Sequence, residues 1–365
     1  MSTLSSNQRV VVAMSGGVDS SVAAALLHQQ GYEVVGVTMR LWDAGDEAIT
    51  PDHQGCCSID DIEDARRVCQ TLGVPHYVMD VRQEFREHVM DHFIAEYRRG
   101  RTPHPCISCN DSIKFDFLME RATAMDAHHV ATGHYARIGR DEATGQLTLL
   151  KGVDASKDQS YVLFGLTADQ LDRVLLPVGG YTKARIRELA AEAGLHLSDK
   201  RDSQEICFVP AGDYREFLRK QITPQPGEFV DEQGNVVGAH KGIEFFTVGQ
   251  RRGLGLTPNA PETERLFVTR VDSETGRVHL GPEDALMRRD VLVDNVSYVG
   301  GNPPSGPVQV TAKIRYNGRD TLAVLTPGQG EDAALCFDEP QRAVTPGQAA
   351  VFFDGDRVIG GGFIR

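Results

Sequence analysis

The segment RVVVAMSGGVDSS, residues 9–21, predicts how the first part of the chain folds. Its first six residues are mostly apolar and predict a buried β-strand, and residues 20–30 predict a helix that ends at Gly31. Gly16 and Gly17 join the two elements. Because glycine lets the backbone come close to a ligand, backbone N–H groups and the helix N-terminus can face an anion here. This order of elements predicts a phosphate-binding loop in a parallel α/β domain.

The side chains of the loop support that prediction. Ser15, Ser20 and Ser21 offer hydroxyl donors, and Asp19 is suited either to hold Mg²⁺ or to cap the helix. No lysine follows the glycines, which excludes a Walker A loop. The alternative is a glycine-rich turn that binds no ligand.

Short apolar runs alternate with helical patterns over about the first 200 residues, which is typical of parallel α/β construction. Strands are predicted at residues 34–39, 76–80 and 129–132, helices at 58–72, 83–99, 113–125 and 182–193, and a hairpin at 137–151. Further on, a hairpin is predicted at 228–237 and strands at 291–299, 308–316, 321–325, 349–353 and 357–363. The sequence therefore predicts an α/β, Rossmann-like parallel-sheet domain at 1–200, a small mixed central domain at 201–285 and a C-terminal β-barrel at 286–365.

Composition and charge limit the classes of protein to consider. With 365 residues, of which 41% are hydrophobic and 24% charged, the chain has the composition of a soluble protein of two or three domains. No apolar run reaches the roughly 18–20 residues that cross a bilayer, and the polar N-terminus lacks the pattern of a signal peptide. We therefore expect a cytoplasmic protein without a membrane partner.

The net charge of −13 argues mildly against a nucleic-acid partner, so an RNA site would need local basic groups. Such groups are Arg98, Arg99 and Arg101; Lys183, Arg185 and Arg187; Arg251 and Arg252; and Lys313, Arg315 and Arg319. Solvated surface charge is the alternative interpretation of each group.

The seven cysteines are uneven in spacing: Cys56, Cys57, Cys69, Cys106, Cys109, Cys207 and Cys336. An odd, uneven set argues against a secreted disulfide scaffold and favours reactive or metal-bound thiols. Cys69 and Cys336 lie in helical and strand patterns, and we expect them to be buried structural residues. The sequence indicates no role for Cys56 and Cys57.

Several motifs resemble those of one known family. Residues 15–20 resemble the loop SGGxDS of the PP-loop ATPases, which split ATP between the α- and β-phosphates and pass AMP to an oxygen. RTPHPCISCN at 101–110, with IKF at 113–115, and DSQEICF at 202–208 resemble the two cysteine motifs of the tRNA 2-thiouridylases. Shorter matches lie at residues 131–135, 158–161, 248–251 and 253–255. The chain is similar to that family over nearly its whole length.

The resemblance implies ATP-dependent 2-thiolation of the wobble uridine of tRNA. Cys207 would hold a persulfide and Cys109 would be the second catalytic thiol, with a disulfide bond between them as the by-product. The uridine would be flipped towards a loop that contains His104, Pro105 and Cys106, where the family usually has asparagine in place of His104.

The resemblance also implies cofactors and partners. ATP and Mg²⁺ would bind at Ala13, Met14, Ser15, Gly16, Gly17, Val18, Asp19, Ser20, Met39 and Gly133. The tRNA would be contacted by His134, Lys157, Asp158, Gln159, Arg315, Tyr316 and Gln348. It would be held by its anticodon arm, with the Lys, Glu and Gln isoacceptors as substrates. A cysteine desulfurase or a sulfur-relay protein would supply the sulfur.

Three alternatives stay open at this point. Cys106, Cys109 and Cys207 could together ligate zinc or an iron–sulfur cluster in the same reaction. The chain could be another PP-loop synthetase that adenylates a small molecule. It could also be a metal-cluster protein that binds RNA or senses redox state, although such a protein has no evident need for a pyrophosphate loop.

Overall fold

The structure is a computed structural model that describes residues 8–42, 59–141, 145–198, 200, 206–209, 213–255 and 266–365. Sequence predictions that fall on Cys56 and Cys57, on the tip of the first hairpin and on residues 202–205 lie outside the described residues.

The strands are, in chain order, β1 (Arg9–Ala13), β2 (Glu33–Arg40), β3 (His76–Asp80), β4 (His129–Ala131), β5 (Ala136–Arg140), β6 (Leu147–Lys151), β7 (Val174–Leu175), β8 (Gly227–Val230), β9 (Val236–His240), β10 (Phe267–Asp272), β11 (Arg277–Gly281), β12 (Met287–Tyr298), β13 (Val308–Lys313), β14 (Thr321–Pro327), β15 (Ala333–Arg342), β16 (Ala349–Asp354) and β17 (Arg357–Ile364). The α-helices are α1 (Val18–Gln29), α2 (Ile59–Leu72), α3 (Arg82–Phe85), α4 (Asp91–Arg98), α5 (Pro105–Ser108), α6 (Leu118–Ala124), α7 (Ala168–Arg173), α8 (Lys183–Glu192) and α9 (Tyr214–Gln221). Short π-helical stretches, Arg86–Met90 and Cys109–Phe117, connect α3 to α4 and α5 to α6.

The first part of the chain forms the predicted parallel sheet, in the order β3-β2-β1-β4-β7. The central strand β1 is buried on both faces, since Val10, Val11 and Val12 are all 0% exposed. Such burial is expected where helices cover both faces of a parallel sheet. Helix α1 packs its run of small residues, Ala23, Ala24 and Ala25, into the core together with Val10 and Val12.

The segment after Thr102 differs from the prediction. We expected a loop around Pro105 and a helix that begins at residue 113, but helical structure begins at Pro105 and continues to the end of α6. Proline is tolerated at the first position of a helix because its missing N–H has no partner there in any case. Cys106 and Cys109 therefore lie on a helix, and Cys109 begins its π-helical stretch. Stretches of this kind are frequent at functional sites.

The predicted hairpin β5–β6 is present, but it belongs to the sheet of the C-terminal barrel. Leu150 in β6 pairs with Arg357 in β17, and the sheet order is β12-β15-β14-β13-β16-β17-β6-β5. A further pairing of β12 with β17 closes six of these strands into a barrel. The first part of the chain and the barrel are thus joined by a shared sheet.

The central part forms a four-stranded sheet in the order β10-β11-β8-β9, and the predicted hairpin is its β8–β9 pair. The fold class is therefore confirmed: a parallel α/β part, a small central part and a closed β-barrel. Within the residues that the structure describes, no helix has the length and apolar character needed to cross a bilayer.

Candidate functional site

The loop between β1 and α1 is ordered by its own serines. The Ser15 N–H donates to Ser20 Oγ at 3.2 Å, and the Ser20 hydroxyl donates to the Gly17 carbonyl, also at 3.2 Å. Gly16 has φ +68°, and a Cβ there would lie 2.3 Å from the Asp61 carbonyl oxygen of α2. Only glycine fits such a position without strain. The loop is therefore a closely packed turn at the N-terminus of a helix, which is the form of an anion site.

Gly133 lies against the same loop. A Cβ at Gly133 would lie 2.6 Å from the Ser20 nitrogen and 2.7 Å from the Asp19 carbonyl carbon, so any side chain there would displace the loop. The sequence placed Gly133 with the nucleotide, and the structure brings it to the loop. Met39, 8% exposed, lies near the end of β2, which pairs with β1. Both residues lie at the carboxyl ends of parallel strands, which is where ligands bind in open α/β sheets.

The carboxylate of Asp19 does not cap the helix, which corrects one of the two roles expected for it. Gly17 is the N-cap of α1 and no side chain caps it. Asp19 Oδ1 accepts from the Tyr135 hydroxyl at 2.7 Å, and the Lys183 ammonium donates to both carboxylate oxygens at 2.8 and 2.9 Å. The Lys183 side chain is 12% exposed and that of Asp19 is 30% exposed. A shielded ion pair therefore lies at the start of α1, beside the loop.

This role of Lys183 was not predicted from the sequence, where Lys183 forms a basic group with Arg185 and Arg187. In the structure Arg185 pairs with Glu188 and Glu192, and Arg187 donates to the backbone carbonyl of Lys200 at 3.0 Å. Because these side chains have partners within the protein, the group is not a simple RNA-facing patch. Nothing in the sequence pairs Lys183 with a residue 164 positions earlier.

A second lysine also contacts the loop. Lys200 Nζ donates to the Gly16 carbonyl at 2.9 Å, to Asp61 at 2.8 Å and to Asp64 at 2.7 Å. Burial lowers the pKa of Lys200, but its hydrogen bonds to the two carboxylates outweigh that effect and raise it. Two lysines therefore contact the loop: Lys183 is paired with Asp19, and Lys200 is paired with Asp61 and Asp64.

The helix that contains the CxxC pair presents its two thiols differently. Cys106 is exposed, whereas Cys109 is 8% exposed and belongs to the hydrophobic core. Burial also raises the pKa of Asp111, two residues further on, to about 7, with the Asp116 carboxylate as a second cause.

His104, just before this helix, forms an aromatic cluster with two tyrosines. Its ring centroid lies 5.8 Å from that of Tyr161 and 5.8 Å from that of Tyr316, and the two tyrosine rings are 5.9 Å apart. The Tyr161 hydroxyl donates to the Ala349 carbonyl at 2.8 Å. Burial lowers the pKa of His104 to about 4, so its ring is neutral at pH 7. Its Nδ1 is buried and has no hydrogen-bond partner among the described residues.

The low pKa of His104 leads to a prediction on acid stability. The unfolded chain takes up a proton at this residue near pH 6.5, but the folded chain does so only near pH 4. The stability linked to His104 is therefore complete above pH 6.5 and is lost as the pH falls towards 4. We expect His104→Asn to remove this loss. When the pH is lowered from 7.5 to 4.5, the free energy of unfolding of wild type should fall by on the order of 1 kcal/mol or more beyond the fall in the variant.

Urea unfolding of both proteins at the two pH values measures this difference. Comparing the pH dependence, rather than the absolute stabilities, removes the effect of changed packing in the aromatic cluster. An equal pH dependence in the two proteins would show that His104 is protonated as readily when folded as when unfolded.

Cys207 is half-buried and packs against the same hydrophobic core that contains Cys109. Its neighbour Phe208 fixes this part of the chain, because its ring contacts Phe85 at 5.8 Å and Phe93 at 5.3 Å between centroids. The helix of Cys109 packs against the α3–α4 stretch that contains these two phenylalanines. The fold thus brings the two cysteine motifs, far apart in sequence, to one core.

Two residues expected to face tRNA have hydrogen-bond partners within the protein. Asp158 accepts from the N–H groups of Gly152 and Ser160 at 3.0 and 3.1 Å. The side chain of Gln159 accepts from the Tyr135 N–H at 2.9 Å.

His134 and Arg315 likewise have partners within the protein. His134 is 8% exposed, its Nδ1 lies 2.7 Å from the Thr132 hydroxyl, and burial holds its pKa well below the usual range. Arg315 donates to the Arg342 carbonyl. Lys157 is half-buried and Tyr316 belongs to the aromatic cluster. Exposed arginines on the described surface include Arg98, Arg99, Arg251, Arg252 and Arg319.

Cys69 and Cys336 were both expected to be buried, and only one of them is. Cys69 is buried, and burial raises the pKa of its thiol to about 11, as suits a structural residue. Cys336 is exposed, so the expectation of burial was wrong, because this position of β15 faces solvent. No group of three or more His, Cys, Asp or Glu residues with the arrangement of a metal site occurs within the described ranges.

Three family models match consecutive parts of the chain. One described as tRNA methyl transferase HUP domain matches residues 8–211, a tRNA methyl transferase PRC-barrel domain matches 215–282, and an aminomethyltransferase beta-barrel domain matches 288–364. The protein named tRNA-specific 2-thiouridylase MnmA from Heliobacterium modesticaldum is 50% identical over 363 residues, 98% of this chain and 92% of that protein. The protein of the same name from Clostridioides difficile is 45% identical over 361 residues, 98% of each chain.

Among solved structures, a 4-thiouridine synthetase–RNA complex with bound ATP is 22% identical. The alignment covers 59% of this chain and 50% of that chain, with a TM-score of 0.34.

Proposed function

The chain belongs to the family of tRNA-specific 2-thiouridylases, and we propose that it replaces the C2 oxygen of a tRNA uridine with sulfur in an ATP-dependent reaction. The chain is thus a sulfurtransferase that modifies tRNA. One observation best supports the proposal. A loop of the form of an anion site, at the N-terminus of α1, and two cysteine motifs occur together in a chain that matches these relatives over 98% of its length.

ATP activates the oxygen that is to be removed. The uracil C2 oxygen attacks the α-phosphate, the bond between the α- and β-phosphates breaks, and pyrophosphate leaves. The loop 15–20 suits the phosphates, because its N–H groups lie at the start of α1. Lys183 would offset negative charge there as ATP binds, since its ammonium already lies beside Asp19.

Sulfur then arrives as a nucleophile. The terminal sulfur of a persulfide on Cys207 attacks C2, and AMP leaves with the former C2 oxygen. The Cys109 thiolate next attacks the inner sulfur of Cys207, which releases the 2-thiouridine and leaves a Cys109–Cys207 disulfide. An external thiol must reduce this disulfide, and a cysteine desulfurase or relay protein must renew the persulfide.

Mg²⁺ fits the loop only in part. Mg²⁺ is usually held by one or two carboxylates together with substrate phosphates and water, and Asp19 could supply one such carboxylate. Both oxygens of Asp19 already accept hydrogen bonds from Lys183. Asp19 would hold the ion, which when bound would offset charge on the phosphates.

The uridine of the proposal is the wobble base, flipped towards His104 and Cys106. A flipped base can stack on aromatic rings, and Tyr316 lies beside His104. The neutral His104 ring has a buried Nδ1 that no described residue contacts by a hydrogen bond, and this atom can exchange a hydrogen bond with the base. The exposed arginines Arg251 and Arg252 suit the phosphates of the anticodon arm. We place the reaction in the cytoplasm, with the Lys, Glu and Gln tRNAs as substrates.

One assay tests the proposal. Purified protein is incubated with ATP, a cysteine desulfurase, cysteine and unmodified tRNA, and the nucleosides are analysed by mass spectrometry. The expected product is 2-thiouridine, formed only when ATP is present, with one AMP for each thiolated uridine. AMP without thiolated RNA would favour a small-molecule synthetase. Formation of a methylated base with S-adenosylmethionine would instead favour the activity named in two of the family descriptions.

A further inference from the structure

A loop of the β-barrel forms hydrogen bonds with both the backbone N–H and the backbone carbonyl of Thr102. The Thr102 N–H donates to the Pro346 carbonyl at 2.8 Å, and the amide of Gln348 donates to the Thr102 carbonyl at 2.8 Å. This loop lies within residues 343–348, which connect β15 to β16. Both polar groups of one residue in the first part of the chain are therefore satisfied by the barrel.

The close approach requires glycine at the middle of the loop. Gly347 has φ +88°, and a Cβ there would lie 2.9 Å from the Thr102 nitrogen and 2.9 Å from the Arg101 Cβ. The loop itself is fixed to the barrel, because the Gly347 N–H donates to the Ile364 carbonyl at 2.9 Å. The Ile364 N–H donates in turn to the Gln348 carbonyl at 2.9 Å. Gln348 thus projects from a rigid support.

The held residue lies directly before the candidate catalytic helix. Only Pro103 separates Thr102 from His104, and α5, which leads to Cys109, begins at the next residue. Other parts of the fold also contact this short segment. The Thr102 hydroxyl donates to Thr247 at 3.1 Å, and Arg101 pairs with the buried Glu96 at 2.7 Å. A change in the position of Thr102 would therefore be transmitted to the start of the helix.

We propose that Gln348 is a positioning residue for the reaction: by donating to Thr102 it fixes where His104 and Cys109 lie. The proposal rests on the proposed function for its effect on catalysis. Its structural part applies whatever the reaction is, because the hydrogen bond exists without RNA. The barrel would then contribute to the chemistry through the geometry of the first part of the chain.

The first test measures thiol reactivity without RNA. Gln348→Glu keeps the shape of the side chain but replaces the donor with a carboxylate, which repels the Thr102 carbonyl. We expect Cys109, 8% exposed in the wild type, to be alkylated by iodoacetamide at least threefold faster in the variant. Peptide mass spectrometry assigns the rate to Cys109. Gln309→Glu makes the same chemical change at an exposed position of the barrel, and we expect it to leave the rate unchanged.

The second test separates turnover from binding. If Gln348 positions the reacting groups, Gln348→Glu should lower kcat for thiolation by about tenfold or more while KM for tRNA stays within a factor of two. The reason is that small displacements of reacting groups are costly. A raised KM with unchanged kcat and unchanged alkylation would show that Gln348 acts through RNA binding alone and would overturn the proposal. If wild type makes no 2-thiouridine, the proposed function fails, but the alkylation rates still decide the positioning role. Should the glutamate variant not fold, Gln348→Met removes the donor without adding charge.

Discussion

Replacing either Cys109 or Cys207 with serine should abolish 2-thiouridine formation, with a loss of about a thousandfold or more, because a hydroxyl neither holds a persulfide nor cleaves one. The two variants should fail at different steps. Cys207→Ser should not gain sulfur from the desulfurase. Cys109→Ser should still gain one sulfur on Cys207 and retain it. Intact-protein mass spectrometry before and after a reducing thiol separates these two states.

Matched controls make the cysteine result specific. Cys336 is exposed on β15, and Cys336→Ser should thiolate tRNA at the wild-type rate. Cys106→Ser should keep most activity in a persulfide mechanism, whereas a three-cysteine cluster would need all of its ligands. Because Cys109 is buried in the core, the melting temperature of Cys109→Ser must be compared with that of Cys109→Ala. Full activity of a folded Cys109 variant would refute the proposed sulfur step.

The parts of the fold that could be predicted are those set by local patterns. The β1–loop–α1 unit follows from a valine run, two glycines and a helical pattern within 20 residues, and its elements end within two residues of the predicted positions. Short apolar runs predicted β2, β3 and β4 for the same reason, whereas the parallel strand β7, only two residues long, was missed. The barrel was predicted from alternating apolar residues between turns, although β15 was missed because its second half is polar and contains a proline.

The parts that could not be predicted depend on contacts between distant residues. The β5–β6 hairpin was predicted, but its pairing with β17 joins residues more than 200 positions apart, and no local pattern indicates such a partner. The same holds for Gln348, which the family resemblance placed on the RNA and which the structure pairs with a backbone carbonyl 246 positions away. Sequence motifs predicted the candidate site residues of this chain, but not the residues that these contact in the fold.

The candidate site follows the same division. The loop, Gly133 and both cysteine motifs were identified from sequence because each is a short segment with its own pattern. The charged groups around the loop were not, because Lys183 and Lys200 reach it from other elements. Their ion pairs give the loop a charge distribution that its own residues do not reveal.

Lys183→Met should therefore slow tRNA-dependent release of pyrophosphate from ATP by about a hundredfold, since removal of one charge stabiliser from such a site costs this much. Without Lys183, the Asp19 carboxylate loses its cation and repels the incoming phosphates. Lys183→Arg keeps a positive charge and should retain more of the rate. Arg185→Met, two residues further along α8, removes a charge that pairs with Glu188 and Glu192 and should have little effect. A Lys183→Met rate within twofold of wild type would show that the pair with Asp19 only stabilises the fold, and a lowered melting temperature would then be its measurable effect.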